Sequence, residues 1–323
     1  QSVFDDYIAR LVKQADFGAL SIVWDAGNGA AGPATEAMLA ALLDNGGALG
    51  THKTLYCDID GHFPNHHPNP VDPETLESLR EQVAALGADC GIGFDGDGDR
   101  IGLIDSKGRQ IAGDILTAFL ATDILTRNRR ADIIFDVKSS ALAMQIVRDA
   151  GGTPHLWKTG HSHMKQKLYE SGAPLAGEMS GHIFIADGDY GFDDALYVAS
   201  RLVTQIAKHT AETGISITDF MDNLPKTFTT PEHRIDCPDT EKFGVMTRLS
   251  QAVSADHSPD SVNLIDGVRV TTTEGWWLIR ASNTEAALVA RAEGVNAVIC
   301  NRLVSDIIRY LDDAGLKWAG PAS

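Results

Sequence analysis

Asp95-Gly96-Asp97-Gly98-Asp99-Arg100 sets three carboxylates at alternate positions with glycine between them. In an extended segment alternate side chains point the same way. The glycines free the backbone to curl, so the carboxylates can converge. Like charges this close repel unless something neutralises them. Mg²⁺ takes carboxylate oxygens and keeps positions for water or phosphate. Asp95, Asp97 and Asp99 therefore read as a divalent-metal site open on one side, against the plainer reading of an acidic surface turn. Arg100, directly after them, points to a shared anion, most simply a phosphate. An EF-hand also opens with D-x-D-x-D but needs Gly at its sixth position and Glu at its twelfth. Arg100 and Ser106 stand there, which excludes a calcium loop.

Working outward, a strand over 90–94 delivers this loop, and a strand over 101–104 leaves it for a turn at Lys107-Gly108. Ligand sites in open α/β sheets sit at the carboxyl ends of strands, where the loop falls. Upstream, apolar spacing predicts a helix over 4–12, a strand over 20–25, and helices over 33–43 and 73–86. A second strand is expected over 54–57, ending at Asp58. The turn Gly27-Asn28-Gly29-Ala30-Ala31-Gly32 fits G-x-G-x-x-G, so strand, glycine turn, helix, strand and acid together outline a dinucleotide-binding fingerprint. Tight strand-to-helix turns need glycine for packing alone, and no second half of such a fold follows. A dinucleotide-dependent oxidoreductase is thus an alternative resting on this turn only. Asp58-Ile59-Asp60-Gly61 is similar to the nucleophile loop of haloacid dehalogenase phosphatases. The prolines that follow, Pro64, Pro68 and Pro70, forbid the helix such an enzyme needs next. His66 and His67 are neighbours that point apart on a strand, which favours a structural role over metal ligation.

A second unit follows, with helices over 115–126 and 141–150 and strands over 133–137 and 155–157. Lys138-Ser139-Ser140 and Lys158-Thr159-Gly160-His161-Ser162 lie at its strand ends and are expected to line one crevice. In Gly177-Glu178-Met179-Ser180-Gly181-His182 the carboxylate, hydroxyl and imidazole alternate, so all three can face one side of a strand and recognise sugar hydroxyls, or form an exposed strand edge. A helix is expected over 195–207. Prolines and threonines at 223–231 mark a linker. The remainder reads as a small α+β domain, with strands over 268–272, 276–279 and 287–291 and a closing helix over 297–314. Arg280-Ala281-Ser282-Asn283-Thr284, between two of its strands, offers a guanidinium fork, two hydroxyls, an amide and backbone N–H groups, a phosphate cradle rather than a plain hairpin turn. The expected architecture is two consecutive mixed α/β domains, 1–108 and 109–222, and an α+β C-terminal domain, 223–323.

Of 323 residues, 43% are apolar and 22% charged, as in an ordinary soluble globular protein. Asp and Glu number 44 against 27 Lys and Arg, a formal charge of −17. That excludes general nucleic-acid and anionic-membrane binding, which need basic surface. A phosphate ligand must be held by a local basic pocket. Cys57, Cys90, Cys237 and Cys300 have no zinc spacing and read as reduced thiols of a cytoplasmic protein. No apolar run is long enough to span a membrane, and the N-terminus lacks a signal-peptide pattern. The chain opens on Gln1 rather than Met, as a piece of a longer protein would.

FDGDGDR, WKTGHS, GEMSGH and RASNT, in that order and over nearly the whole chain, together with GHFPNHHPNP, resemble the bacterial phosphomannomutase/phosphoglucomutase enzymes of the alpha-D-phosphohexomutase superfamily. The resemblance implies four domains around a cleft. It implies transfer of a phosphoryl group between the 1- and 6-positions of a hexose through a hexose 1,6-bisphosphate intermediate. Asp95, Asp97 and Asp99 would hold Mg²⁺, with Arg100 beside the transferring phosphoryl. Glu178 and Ser180 would read sugar hydroxyls. His182, with Lys138 and His161, would move protons or bind phosphate. Arg280, Ser282, Asn283 and Thr284 would grip the non-reacting phosphate of the sugar phosphate substrate. Met179 is similar to the residue of the phosphomannomutase/phosphoglucomutase group, where phosphoglucosamine mutases tend to carry Gln. The family's phosphoserine motif, of Thr-Ala-Ser-His-Asn-Pro type, does not occur in this chain. The resemblance thus implies domains two to four without the N-terminal phosphoserine domain. A fragment inactive alone, with an apolar patch exposed on its first domain, is the corresponding expectation, and a non-catalytic sugar-phosphate binding protein is the other alternative.

Overall fold

The computed structural model describes residues 2–44 and 50–318. Helix α1 (Val3–Val12) starts at a capping box between Ser2 and Asp5. Strand β1 (Ile22–Asp25), helix α2 (Ala31–Asp44) and strand β2 (His52–Leu55) follow. A 3₁₀ turn at Pro73–Leu76 runs into α3 (Glu77–Leu86), then β3 (Cys90–Phe94), β4 (Ile101–Asp105) and β5 (Gln110–Ile111). The five strands form one sheet in the order β2-β1-β3-β4-β5. β1 pairs in parallel with β2 and β3, whereas β3, β4 and β5 are antiparallel. The sheet is therefore mixed, and β1, β3 and β4 are buried throughout, which explains their unbroken apolar runs.

The second segment contains α4 (Gly113–Arg127), β6 (Asp132–Asp136), α5 (Ala141–Asp149), β7 (Thr153–Trp157), α6 (His161–Ser171), β8 (Leu175–Gly177), β9 (Ile183–Ile185), α7 (Ala195–Thr213) and α8 (Ile217–Asn223). Its strands lie in the order β7-β6-β8-β9. The third segment contains β10 (Phe228–Thr229), β11 (His233–Asp236), α9 (Asp239–Asp256), β12 (Val262–Asn263), β13 (Val268–Thr271), β14 (Gly275–Ala281), β15 (Ala287–Gly294) and α10 (Ala297–Asp313). These strands make a sheet ordered β10-β15-β14-β13-β12, with β11 also on β15. Trp277 and Ile279 pack with Val245 and Leu249 of α9 and Leu303 and Ile307 of α10, while Trp276 and Leu278 pack with Val137. Alternation along β14 thus sends successive side chains into two different clusters.

Contacts divide the chain into two compact units. One comprises Gln1–Ile134, Ile146–Pro154 and Lys165–Leu224; the other comprises Phe135–Gln145, His155–Met164 and Pro225–Ser323. The α/β class with an α+β C-terminal part agrees with expectation. Three readings are corrected. β2 lies two residues earlier than predicted. Residues 178–182 are the loop of the β8–β9 hairpin, with Glu178 N–H donating to the His182 carbonyl, not a strand. Helices α8 and α9 have no counterpart in the expectation; α9 buries Lys242, Val245, Met246, Leu249 and Val253 at helical spacing, but the pattern opens on a lysine while Phe243 beside it is exposed, which hides the stripe.

Candidate active site

The loop after β3 closes on its own first carboxylate. Asp95 Oδ1 accepts the N–H groups of Gly98, Asp99 and Arg100 at 3.0–3.1 Å, and Oδ2 accepts Arg100 Nε at 2.7 Å. Burial pushes the Asp95 carboxyl up, but the Arg100 N–H, its guanidinium and its charge outweigh that and hold it below the usual value. Arg100 Nη1 donates to Asn69 Oδ1 at 3.1 Å, and among the described residues Nη2 has no partner. The guanidinium is thus fixed at two nitrogens with the third available to an anion. Asp97 is exposed.

Carboxylate oxygens of Asp95, Asp97 and Asp99 lie within 4.8 Å of one another. The cluster raises Asp99 to about 7 through burial, then the charges of Asp95, Asp97 and Asp193. A set of oxygens that resists ionising until neutralised suits a hard divalent cation. The proton and the cation compete for Asp99, so Mg²⁺ affinity should fall about tenfold per pH unit below about 7 and level off above it. The metal-free protein should in turn lose stability as pH rises from the ordinary carboxylate range through 7, because the folded state binds the Asp99 proton more tightly than the unfolded chain. Mg²⁺ should remove that loss; calorimetric titration and melting across pH 5–8 check both.

The loop is hydrogen-bonded from three other segments of its unit. Ala30 N–H of the glycine turn donates to the Gly96 carbonyl at 2.9 Å, Ala195 N–H at the start of α7 donates to the Gly98 carbonyl at 3.0 Å, and Ile101 N–H donates to the Gly181 carbonyl at 3.1 Å. A Cβ on Gly29 would sit 2.8 Å from the Asp95 and Gly96 carbonyl oxygens. The second glycine of G-x-G-x-x-G therefore lets protein backbone approach, where a dinucleotide site would bring a pyrophosphate. Gly29→Ala should lower stability by about 1–3 kcal/mol and weaken Mn²⁺ binding at the loop; an unchanged urea midpoint would contradict this packing.

The β8–β9 hairpin carries the sugar-recognition candidates. Glu178 is buried and its Oε2 accepts Ser180 Oγ at 3.0 Å. His182 Nδ1 is 3.5 Å from Asp99 and 3.8 Å from Asp193. Asp193 accepts Lys165 Nζ at 2.9 Å. Asp193 and Lys165 escaped the sequence reading; their signal is the acidic pair Asp193-Asp194 ahead of α7, where Asp194 caps the helix through the Tyr197 N–H.

The other unit holds the remaining candidates. Arg280 is buried on β14; its Nε donates to Asp266 Oδ2 at 2.9 Å, and the same oxygen accepts the Thr159 N–H at 3.0 Å. Among the described residues Arg280 Nη2 and Thr159 Oγ1 are buried without a hydrogen-bond partner, a donor pair that an anion would satisfy. Asn283 Nδ2 donates to the Thr159 carbonyl, and Thr284 is exposed. Ser282 Oγ accepts the Thr284 and Glu285 N–H groups, so it shapes the hairpin turn. The RASNT segment is thus both a hairpin loop and a candidate cradle. Lys138 pairs with Glu232 at 2.8 Å, and Ser139 Oγ donates to Asp136 at 2.6 Å. Arg269 Nη1 donates to the Val137 and Ser139 carbonyls at 2.6 and 2.8 Å, and Arg291 Nη1 to the Lys138 carbonyl at 3.0 Å. His161 is exposed at the start of α6. Asp266, Arg269, Arg291 and Glu232 were all missed, since nothing in a strand sequence marks which arginine reaches a distant loop.

Three family models match in succession: phosphoglucomutase/phosphomannomutase alpha/beta/alpha domain II over residues 5–108, alpha/beta/alpha domain III over 112–228 and the C-terminal domain over 232–309. The chain belongs to the phosphoglucomutase/phosphomannomutase family. It is 41% identical over 309 residues to a phosphomannomutase/phosphoglucomutase of Pseudomonas putida, covering 95% of this chain and 64% of that protein. It is 31% identical to a phosphomannomutase of Escherichia coli, covering 91% and 62%. A phosphoglucomutase/phosphomannomutase family structure from Burkholderia thailandensis superposes with a TM-score of 0.88 at 38% identity, over 98% of this chain and 66% of that one. An Aspergillus fumigatus N-acetylphosphoglucosamine mutase, solved with GlcNAc-6P and magnesium, shares the fold with a TM-score of 0.66 at 15% identity, over 96% and 64%. The chain therefore spans about 64% of the length of the Pseudomonas putida phosphomannomutase/phosphoglucomutase. No helix among the described residues is long and apolar enough to cross a membrane.

Proposed function

We propose that this chain supplies the metal, sugar and phosphate-grip residues of a hexose-phosphate mutase that interconverts mannose or glucose 1- and 6-phosphates through a hexose 1,6-bisphosphate. One observation carries the reading: a fixed guanidinium beside three converging carboxylates occurs in the same chain as a buried guanidinium with an unused nitrogen, Arg280. These are the parts that phosphoryl transfer and phosphate retention need. Mg²⁺ on Asp95, Asp97 and Asp99 would neutralise charge on the phosphoryl oxygens. Arg100 orients those oxygens through Nη2. Glu178, beside Ser180, accepts hydrogen bonds from sugar hydroxyls. His182, with Asp99 and Asp193 in reach, takes or returns the hydroxyl proton, and Lys138 and His161 are secondary candidates for phosphate or proton contact. Arg280, Asn283 and Thr284, on the turn shaped by Ser282, hold the phosphate that does not react.

The phosphoserine that donates and accepts the phosphoryl group belongs to a partner domain outside these 323 residues, because no Thr-Ala-Ser-His-Asn-Pro type motif is present. The chain alone binds sugar phosphate without turning it over. The exposed Val3 and Phe4 are the apolar surface of the first domain that a neighbouring domain would cover, and the exposed Tyr190 and Phe192, stacked at 5.5 Å, add apolar surface on the second. Four free cysteines, three of them buried, suit a reducing cytoplasmic compartment. The test is a phosphorus NMR time course with mannose 1-phosphate, Mg²⁺ and a trace of glucose 1,6-bisphosphate. Retained binding without mannose 6-phosphate supports the reading. Product formation would place a phosphoryl acceptor within this chain and overturn the claim of incompleteness.

A further inference from the structure

Behind the metal loop lies a pair that no catalytic role above uses. Asp25 ends β1 almost fully buried. Its Oδ1 accepts the Gly27 N–H at 2.9 Å, and His66 Nε2 lies 3.2 and 3.0 Å from its two oxygens. His66 Nδ1 lies 3.0 Å from the His67 carbonyl oxygen. An ionised carboxylate and a carbonyl oxygen both accept, an arrangement that the imidazolium satisfies with both ring N–H groups and that therefore favours the charged ring. The Asp25 hydrogen bond, against burial and with help from the His67 carbonyl, raises His66 above its ordinary value. The pair thus forms a partly buried ion pair in the protonated state of the ring that this arrangement favours.

Its two ends belong to the two segments that flank the metal loop. On the Asp25 side, the glycine turn donates Ala30 N–H to the Gly96 carbonyl. On the His66 side, a Cβ on Gly96 would meet Phe63 Cζ at 3.2 Å and Pro68 Cγ at 3.4 Å, and Asn69 holds Arg100. Asn65 Nδ2 donates to Asn28 Oδ1 at 2.7 Å and joins the two segments a second time. The loop is held between a turn and a strap, and the ion pair is the charged connection between them.

We propose that Asp25 and His66 are positioning residues for metal binding: their ion pair fixes the spacing of the glycine turn and the 61–70 strap, and through it the convergence of Asp95, Asp97 and Asp99. The proposal rests on the metal-site reading above. A partner bonded directly to a metal ligand typically costs 10–100-fold in metal affinity when removed, and this pair, which reaches the carboxylates through Ala30 and Gly96, is expected at the lower end of that range.

The test is Mn²⁺ affinity of the 323-residue protein by electron paramagnetic resonance titration, with the urea midpoint measured in parallel. His66→Phe should raise the Mn²⁺ Kd about tenfold or more. His66→Gln, which keeps one donor toward Asp25, should recover part of that loss. Asp25→Asn combined with His66→Phe should cost no more than either change alone, as expected for two residues acting as one unit. If His66→Phe fails to fold, His66→Gln and Asp25→Asn carry the comparison. Wild-type affinity in variants that remain folded would overturn the positioning role and leave the metal site standing. No Mn²⁺ binding by the wild-type protein would instead remove the metal-site reading and the proposal with it.

Discussion

Asp97→Asn is expected to weaken Mg²⁺ binding by about 100-fold or more while leaving the metal-free fold intact. The asymmetry follows from what each carboxylate of the loop does without a cation. Asp95 is spent on the turn, accepting three backbone N–H groups and the Arg100 guanidinium. Asp99 is crowded and protonates near neutrality. Asp97 is exposed and adds to the repulsion that raises Asp99. Removing its charge relieves the empty cluster and deprives a cation of a ligand. The metal-free melting temperature should stay the same or rise, and calorimetric titration should show binding lost. In the mutase proposed above, turnover should fall by about 10²–10³, as when one electrostatic contact to the transition state is deleted. Undiminished affinity in Asp97→Asn would mean that these carboxylates do not share a cation.

Arg269→Met should destabilise the C-terminal unit by about 2–4 kcal/mol, the cost of leaving two buried carbonyls without a donor. Arg269 is fully buried, forks one nitrogen onto two carbonyls of the 137–139 segment and lies over the Trp276 ring at 3.8 Å. Met fills similar volume and keeps contact with the ring, but leaves the Val137 and Ser139 carbonyls without this donor in a dry environment. Arg269→Lys keeps the charge but not the planar fork, so it should recover only part of the loss. Urea unfolding compared across the three proteins reads this out. Because Arg269 holds the carbonyls on both sides of Lys138 and Arg291 holds that of Lys138 itself, the Arg269 variants should weaken any phosphate contact that Lys138 makes, beyond the effect of lost stability. A midpoint within about 0.5 kcal/mol of wild type would show that the 137–139 carbonyls are satisfied without Arg269.

Much of this was legible in the chain itself, for identifiable reasons. The strands bearing the metal loop are short, apolar and buried on both faces, so β3 appears in the sequence at the boundaries it has in space. The carboxylate loop and RASNT were legible because each packs its chemistry into six contiguous residues or fewer. The 178–182 segment was misread because alternation of polar residues looks the same in a strand and in a hairpin loop whose glycine, Gly181, has φ +93°. Asp193, Asp266 and Arg269 were not legible. Asp193 reaches His182 and Lys165, 11 and 28 positions away, Asp266 reaches Arg280 and Thr159, 14 and 107 away, and Arg269 reaches Val137, 132 away, and a lone Asp or Arg in a strand or loop gives no sign of such a partner. The role of Gly29 was half visible: the turn was plain, but what approaches it is the backbone of residues 95 and 96.

The way the metal loop is anchored also bears on how the protein comes to exist. Its backbone and the adjoining Ile101 are tied to Ala30, Gly181 and Ala195, and its Arg100 side chain to Asn69 of the strap. These ties span about half the chain, so the site has high contact order and closes its longest loops last. During synthesis the three carboxylates would emerge early but stay unanchored until the start of α7 had left the ribosome, about 100 residues later, or roughly 5–20 seconds at ordinary elongation rates. Metal capture would then report completion of the first unit rather than its beginning, and a nascent chain stalled before residue 195 should bind Mn²⁺ far more weakly than one released after it.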